Sequence, residues 1–303
     1  MSKNRSALRN RVEYAAFRTA RALTGVLSPA ALARVGDVLG SFYSRLGGRR
    51  REVIRFNLAL AFPDKTDSER EAIARGVARH FARSTLDAIR IQRLTPDELM
   101  STVTVEGWSH VEAALARGRG AFFLTAHIGS WEVAALGTGL LLPEPGLAVI
   151  NRPLDNPYLE KQLGRLRTLY GNHVFGKRNI LREMIGHLKA NGGIGILIDQ
   201  RVLQKEGILV PFFGHPAWTH PILAKISRKT NAAVVPTVAL RGEPGRYTLR
   251  YDQPLFVDDL PAAERDDVPL TARYLSILEG AIRERPDQWL WYHDRWKQLR
   301  IRN

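Results

Sequence analysis

The sequence predicts an α/β protein with a largely parallel central sheet and helices on both faces. Three observations point there. Continuous apolar, strand-like runs fall at 102–105, 121–125, 147–150, 194–198, 233–240 and 247–251. Helical stretches separate several of them, at 132–141, 157–170, 179–189 and 218–230. Strands that are apolar on both faces and alternate with helices are those of a parallel sheet covered on both sides. Finally, 303 residues with 45% hydrophobic content, no internal repeat and no long linker suffice for one sizeable core.

A helix precedes the first strand. Residues 68–93 carry Ile73, Val77, Phe81, Leu86 and Ile89 along one side, at helical spacing. Ahead of it, residues 1–47 mix apolar patches with Arg9, Arg11, Arg18, Arg21, Arg34 and Arg45. A bilayer span needs about 20 mostly apolar residues, and this segment is too often charged. It also lacks the continuous apolar core and cleavage site of a secretory signal. One or two amphipathic helices remain, suited either to a headgroup layer or to packing on the domain. Arg49, Arg50, Arg51 and Arg55 favour the membrane, since basic residues are drawn to anionic lipid. The expected division is a membrane-associating helical segment over 1–47 and an α/β domain over 48–303.

Charge and composition narrow the function. Lys and Arg number 45 against 30 Asp and Glu, a net +15, which calls for an anionic partner. With no cysteine there are no disulfides, no thiol nucleophile and no thiolate metal site. The eight histidines show no ligand spacing and no HExxH occurs, so no metal is expected. The glycines of Asn191-Gly192-Gly193-Ile194-Gly195 precede their strand, whereas a phosphate cradle needs them after it. No loop ends in GKS or GKT, and Ser130 lacks the second glycine of a nucleophile elbow.

One constellation stands out: FFLTAHIGSWEVAAL, residues 122–136. The strand at 121–125 delivers His127 at its C-terminal end, where open α/β sheets place their ligand crevices. Gly129 and Ser130 turn the chain, and Glu132 enters the first turn of a helix, where the dipole favours a carboxylate. The spacing predicts that Glu132 holds one imidazole nitrogen and leaves the other free as a base. The alternative is a buried histidine satisfied by a neighbouring acid.

Further segments, in order, carry a resemblance. They are His127-Ile-Gly-Ser-Trp-Glu132, the run Asn151-Arg152-Pro153-Leu154-Asp155-Asn156-Pro157, Ile198-Asp199-Gln200, and Val210-Pro211-Phe212-Phe213-Gly214. Near the end come residues 286–293, Pro-Asp-Gln-Trp-Leu-Trp-Tyr-His, then Arg295-Trp296-Lys297; near the start come Arg50-Arg51, Asn57-Leu58 and Phe62-Pro63. The chain resembles the bacterial lipid A (lauroyl/myristoyl) acyltransferases, within the lysophospholipid acyltransferase group, over nearly its whole length. The family often begins with a membrane-spanning helix, and the charged N-terminus here departs from that.

The resemblance implies a glycerolipid acyltransferase-like fold and a membrane-associated O-acyltransferase with an H-x4-E motif. It implies a fatty acyl chain moving from a thioester, on acyl carrier protein or CoA, to a hydroxyl of a lipid A precursor or related membrane glycolipid. The thioester is a co-substrate and no cofactor is expected. The expected place is the cytoplasmic face of the bacterial inner membrane, held peripherally on anionic lipid. His127 is then the base and Glu132 its orienting acid. Arg152 is the candidate oxyanion donor, against a turn arginine paired with Asp155. Asp199 would orient Arg152 or a substrate group, or simply cap a turn. Phe212, Phe213 and Trp218 are acyl-pocket candidates that could equally be core, and His293 reads as structural. Two other classes stay open: a basic nucleic-acid-binding protein, although nucleic acid is not the expected partner, and an inactive peripheral membrane protein of the same fold.

Overall fold

A computed structural model describes residues 6–45, 48–150, 154–176 and 179–301. Five helices come first: α1 (Ala7–Val26), α2 (Pro29–Arg45), α3 (Arg49–Ala61), α4 (Asp67–Ile91) and α5 (Pro96–Met100). Strands and helices then alternate: β1 (Val103–Glu106), α6 (Trp108–Leu115), β2 (Ala121–Thr125), α7 (Trp131–Leu141), β3 (Leu147–Ile150), α8 (Pro157–Arg167), β4 (His173–Phe175), α9 (Ile180–Lys189) and β5 (Gly193–Leu197). A hairpin of β6 (Ile208–Phe212) and β7 (His215–Thr219) precedes α10 (Ile222–Thr230), β8 (Ala233–Arg241), β9 (Tyr247–Tyr251), α11 (Asp267–Glu284) and α12 (Lys297–Arg300).

The main sheet runs β1-β9-β8-β2-β5-β3-β4, and every neighbouring pair is parallel except β8 with β9. Alternate side chains of β2 enter two separate cores. Phe122 and Leu124 join the one built with α9, α10 and α11, while Ala121 and Phe123 join the one built with α6 and α7. In β5, Ile194 and Ile196 fill the first core. Gly193 and Gly195 lie on the opposite face, where a Cβ at 193 would collide with Phe123 and Leu142. Both faces are thus covered by helices, as the apolar runs require. The glycine run at 191–195 leads into a strand and cradles nothing.

The helix expected over 218–230 begins only at Ile222, because Trp218 and Thr219 belong to β7. Its partner β6 pairs antiparallel, and Phe213 and Gly214 make the two-residue turn with φ of 50° and 74°. Both central residues have φ > 0, as tight hairpins demand.

The N-terminal helices lie on the α/β body. Thr66 and Glu69 form a reciprocal capping box that starts α4. Helix α2 approaches α4 so closely that a Cβ on Gly40 would stand 2.5 Å from the Arg79 Cα, so only glycine permits the contact. Residues 46 and 47, at the expected division, lie outside the described residues. Among the described residues no helix is long and apolar enough to cross a membrane.

Candidate active site

The register of two parallel strands builds the centre of the site. In the β2–β5 ladder Thr125 pairs with Leu197, so His127 and Asp199, each two residues further on, emerge level at the C-terminal edge. Asp199 Oδ2 accepts the backbone N–H of His127 at 2.9 Å, and its Oδ1 lies 2.9 Å from the imidazole Nδ1. Trp289 Nε1 donates to Oδ2 at 2.8 Å. Burial alone would raise the pKa of Asp199, but the His127 charge and these hydrogen bonds hold it down at about 2. With the carboxylate on Nδ1, Nε2 is left without a hydrogen-bond partner among the described residues.

The turn after His127 is held from three sides. Gly129 N–H donates to Gln288 O at 3.0 Å and Ser130 N–H to Ala239 O at 2.8 Å. Leu290 N–H donates to His127 O at 3.0 Å, beside an antiparallel bridge between Ile128 and Trp289. Gly129 has φ +59°, and a Cβ there would meet Ala239 O at 2.1 Å. His80 Nε2 bonds Gly129 O at 3.0 Å from α4.

Glu132 does not orient His127. It sits buried in the first turn of α7, as expected, but its Oε1 accepts from Arg167 at 3.1 Å. The acid on the imidazole is Asp199, expected from the sequence to orient Arg152 or a substrate group, or to cap a turn. Parallel pairing of β2 with β5 explains the exchange, since it puts the strand-end acid beside the histidine. Arg152 lies outside the described residues. His293, read from the sequence as structural, accepts the Arg201 backbone N–H on its Nε2 at 2.8 Å, bracing the loop after Asp199. Burial, only partly opposed by Asp199, pulls its pKa down to about 4.

Of the acyl-pocket candidates, Phe212 and Phe213 are core residues. Phe212 and Phe213 pack with Trp289, Trp291 and Trp296, and half-buried Trp218 lies on β7. The apolar groove at His127 has other walls. It measures about 360 Å³ and is lined by Phe17 of α1, Phe81, Ala88 and Ile89 of α4, and Leu159 and Leu163 of α8. His127, Trp131, Glu132 and Arg167 also line it. The sequence signal for α4 was its helical stripe, which contains Phe81 and Ile89. Arg167 had no signal beyond being a basic residue in the last turn of α8. Among the described residues no cluster of His, Asp or Glu could hold a metal ion.

Such a crevice, at the strand ends of an open α/β sheet and opening on an apolar groove, suits a ligand with a hydrocarbon part. The chain belongs to the bacterial lipid A biosynthesis acyltransferase family, whose sequence model matches residues 3–298. It is 29% identical over 276 residues to a lipid A biosynthesis acyltransferase of Haemophilus influenzae, covering 88% of this chain and 84% of that one. It is also 29% identical over 272 residues to the lipid A biosynthesis lauroyltransferase of Escherichia coli, covering 87% and 84%. The 1-acyl-sn-glycerophosphate acyltransferase of Thermotoga maritima aligns over 87% of this chain and 100% of its own, with TM-score 0.40 and 13% identity, too loose a likeness to argue from.

Proposed function

We propose that this acyltransferase moves a fatty acyl chain from an acyl thioester, borne by acyl carrier protein or CoA, to a hydroxyl of a lipid A precursor. The observation that carries the reading is the Asp199–His127 pair at the mouth of an apolar groove. A neutral hydroxyl is a poor nucleophile. His127 Nε2 takes its proton as the oxygen attacks the thioester carbonyl, and Asp199 stabilises the imidazolium that forms. When the tetrahedral intermediate collapses, the C–S bond breaks and the imidazolium returns the proton to the departing thiolate. The groove holds the acyl chain, and the Glu132–Arg167 pair forms a polar wall beside it. Arg152 stays the candidate oxyanion donor by its place in the motif.

The N-terminal helices support a peripheral position on the cytoplasmic face of the inner membrane. Leu8, Val12, Leu23 and Val26 of α1, at helical spacing, are exposed, as are Val38, Leu39 and Phe42 of α2. Arginines flank them, the arrangement of a helix lying in the headgroup layer. The deciding experiment assays purified full-length protein for transfer of labelled acyl groups from acyl carrier protein to a lipid A precursor. His127→Ala should lower turnover by about 10²–10⁴-fold. Folded variant protein with wild-type turnover would overturn the assignment.

A further inference from the structure

A second cavity of about 620 Å³ lies between α2, α4 and the C-terminal segment, behind the catalytic turn. Gly76, Arg79, His80 and Arg83, at helical spacing on α4, form one wall. Arg45 comes from the end of α2, Arg241 from the end of β8 and Arg285 from beyond α11. Only Asp37 and Asp287 oppose these five arginines in the lining. Arg83 pairs with Asp37, Arg285 approaches Asp287 at 3.5 Å, and Arg241 is matched from below by Asp87. Arg45 and Arg79 have no ion-pair partner among the described residues. Burial and nearby Arg241 hold the pKa of His80 down to about 3, so it contributes a polar contact and no charge.

We propose that this basin binds a phosphate group on the headgroup of the acceptor lipid. Two guanidinium groups without ion-pair partners in the lining of one concave site match a phosphate, which arginine can engage with two parallel hydrogen bonds. The rim argues for a lipid over an acidic protein surface: Val38 and Phe42 flank the arginines and are 69% and 61% exposed. The basin is also tied to the site of chemistry. His80 and Gln288 line it, and both bond the backbone of Gly129, two residues after His127. That the phosphate belongs to the acceptor rests on the proposed function; the basin itself does not.

The test measures binding of the full-length protein to phosphatidylcholine vesicles carrying either phosphatidate, a phosphomonoester, or phosphatidylserine at equal net charge. The wild type should prefer phosphatidate. The double variant Arg45→Gln/Arg79→Gln should lose that preference, weakening phosphatidate binding by at least about fivefold per arginine. The control Arg182→Gln/Lys189→Gln removes two exposed cations from α9 and should keep the preference. Equal weakening on both vesicles, or by both double variants, overturns the proposal. So does a loss confined to binding of acyl carrier protein. Inorganic phosphate separates the sources: thermal protection by it, lost in the double variant without any phosphatidate preference in the wild type, overturns the lipid assignment. None of these readouts needs turnover, so wild-type transfer with unaltered binding in the double variant refutes the basin alone. A phosphatidate preference in a protein that transfers nothing refutes the enzyme alone.

Discussion

Asp199 holds His127 at two points, through the backbone N–H and the imidazole Nδ1, although 72 residues separate them in the chain. A carboxylate can accept both hydrogens and the Trp289 indole N–H as well. An amide cannot, since one of its two ends only donates. Asp199→Asn should therefore lower turnover by about 10²–10⁴-fold. Combining it with His127→Ala should cost little more than His127→Ala alone, because residues that act as a unit are non-additive. Additive losses in the double variant would separate the two residues.

Glu132 couples to Arg167 in the structure, and this yields a double-mutant cycle with two distinct answers. Glu132→Gln and Arg167→Gln, combined, should show an interaction energy of about 0.5–3 kcal/mol in stability. Thermal or denaturant unfolding of the four proteins measures it. A cycle that instead couples Glu132 with His127 would restore the partnership read from the sequence.

Groove volume should set acyl length. Ala88→Phe fills the groove from α4 and should shift donor preference towards shorter chains, read by competition between thioesters of different length. Phe212→Ala should leave that preference in place and destabilise the fold by about 3–5 kcal/mol, since Phe212 is a core residue. A chain-length change in Phe212→Ala without a stability loss would return that residue to the pocket.

Acid should weaken the fold before it reaches ordinary carboxylate territory. His80 is buried neutral with its pKa lowered from 6.5 to about 3, and burial lowers that of His293 from 6.5 to about 4. In the unfolded chain both protonate as pH falls below 6.5, so the unfolded state binds more protons across that window. Stability contributed by the neutral rings is thus complete above 6.5 and declines as pH falls towards 4 and then 3. Asp199, lowered to about 2, adds a separate loss only at still lower pH, between 3.8 and 2. His80→Gln should flatten the slope of unfolding free energy between 6.5 and 4, measured by urea unfolding at several pH values.

Much of this architecture was legible because both-face burial writes itself as unbroken apolar runs. Strands β2, β3 and β9 fall where those runs do. Strand β4 was missed because three residues, His173 among them, leave no pattern to read. The β6–β7 hairpin was hidden by Pro211 and Pro216, which ordinarily argue against a strand; here they oppose each other in a two-stranded ribbon. The place of His127, just past the end of an apolar strand, was legible. Its acid was not, because nearness along the chain favoured Glu132, and only the order of strands in the sheet brings Asp199 alongside. That Phe212 and Phe213 do not line the groove at His127 was hidden for a related reason. Aromatic clusters look alike in sequence whether they line a cavity or fill a core, and Phe212 and Phe213 fill one.

Helix α4 presents Arg79 and Arg83 to one cavity and Phe81, Ala88 and Ile89 to the other. The glycine contact at Gly40 clamps α2, with its outward apolar residues, along the same helix. The helices that would meet the bilayer are therefore not a tether from which the catalytic body swings. On the proposed peripheral seating they would fix its orientation, and the distance of His127 from the lipid plane would be a property of the fold. A chain cut back to residue 48 would lose that alignment, and with it one wall of each cavity, because Phe17 and Arg45 both come from the part removed.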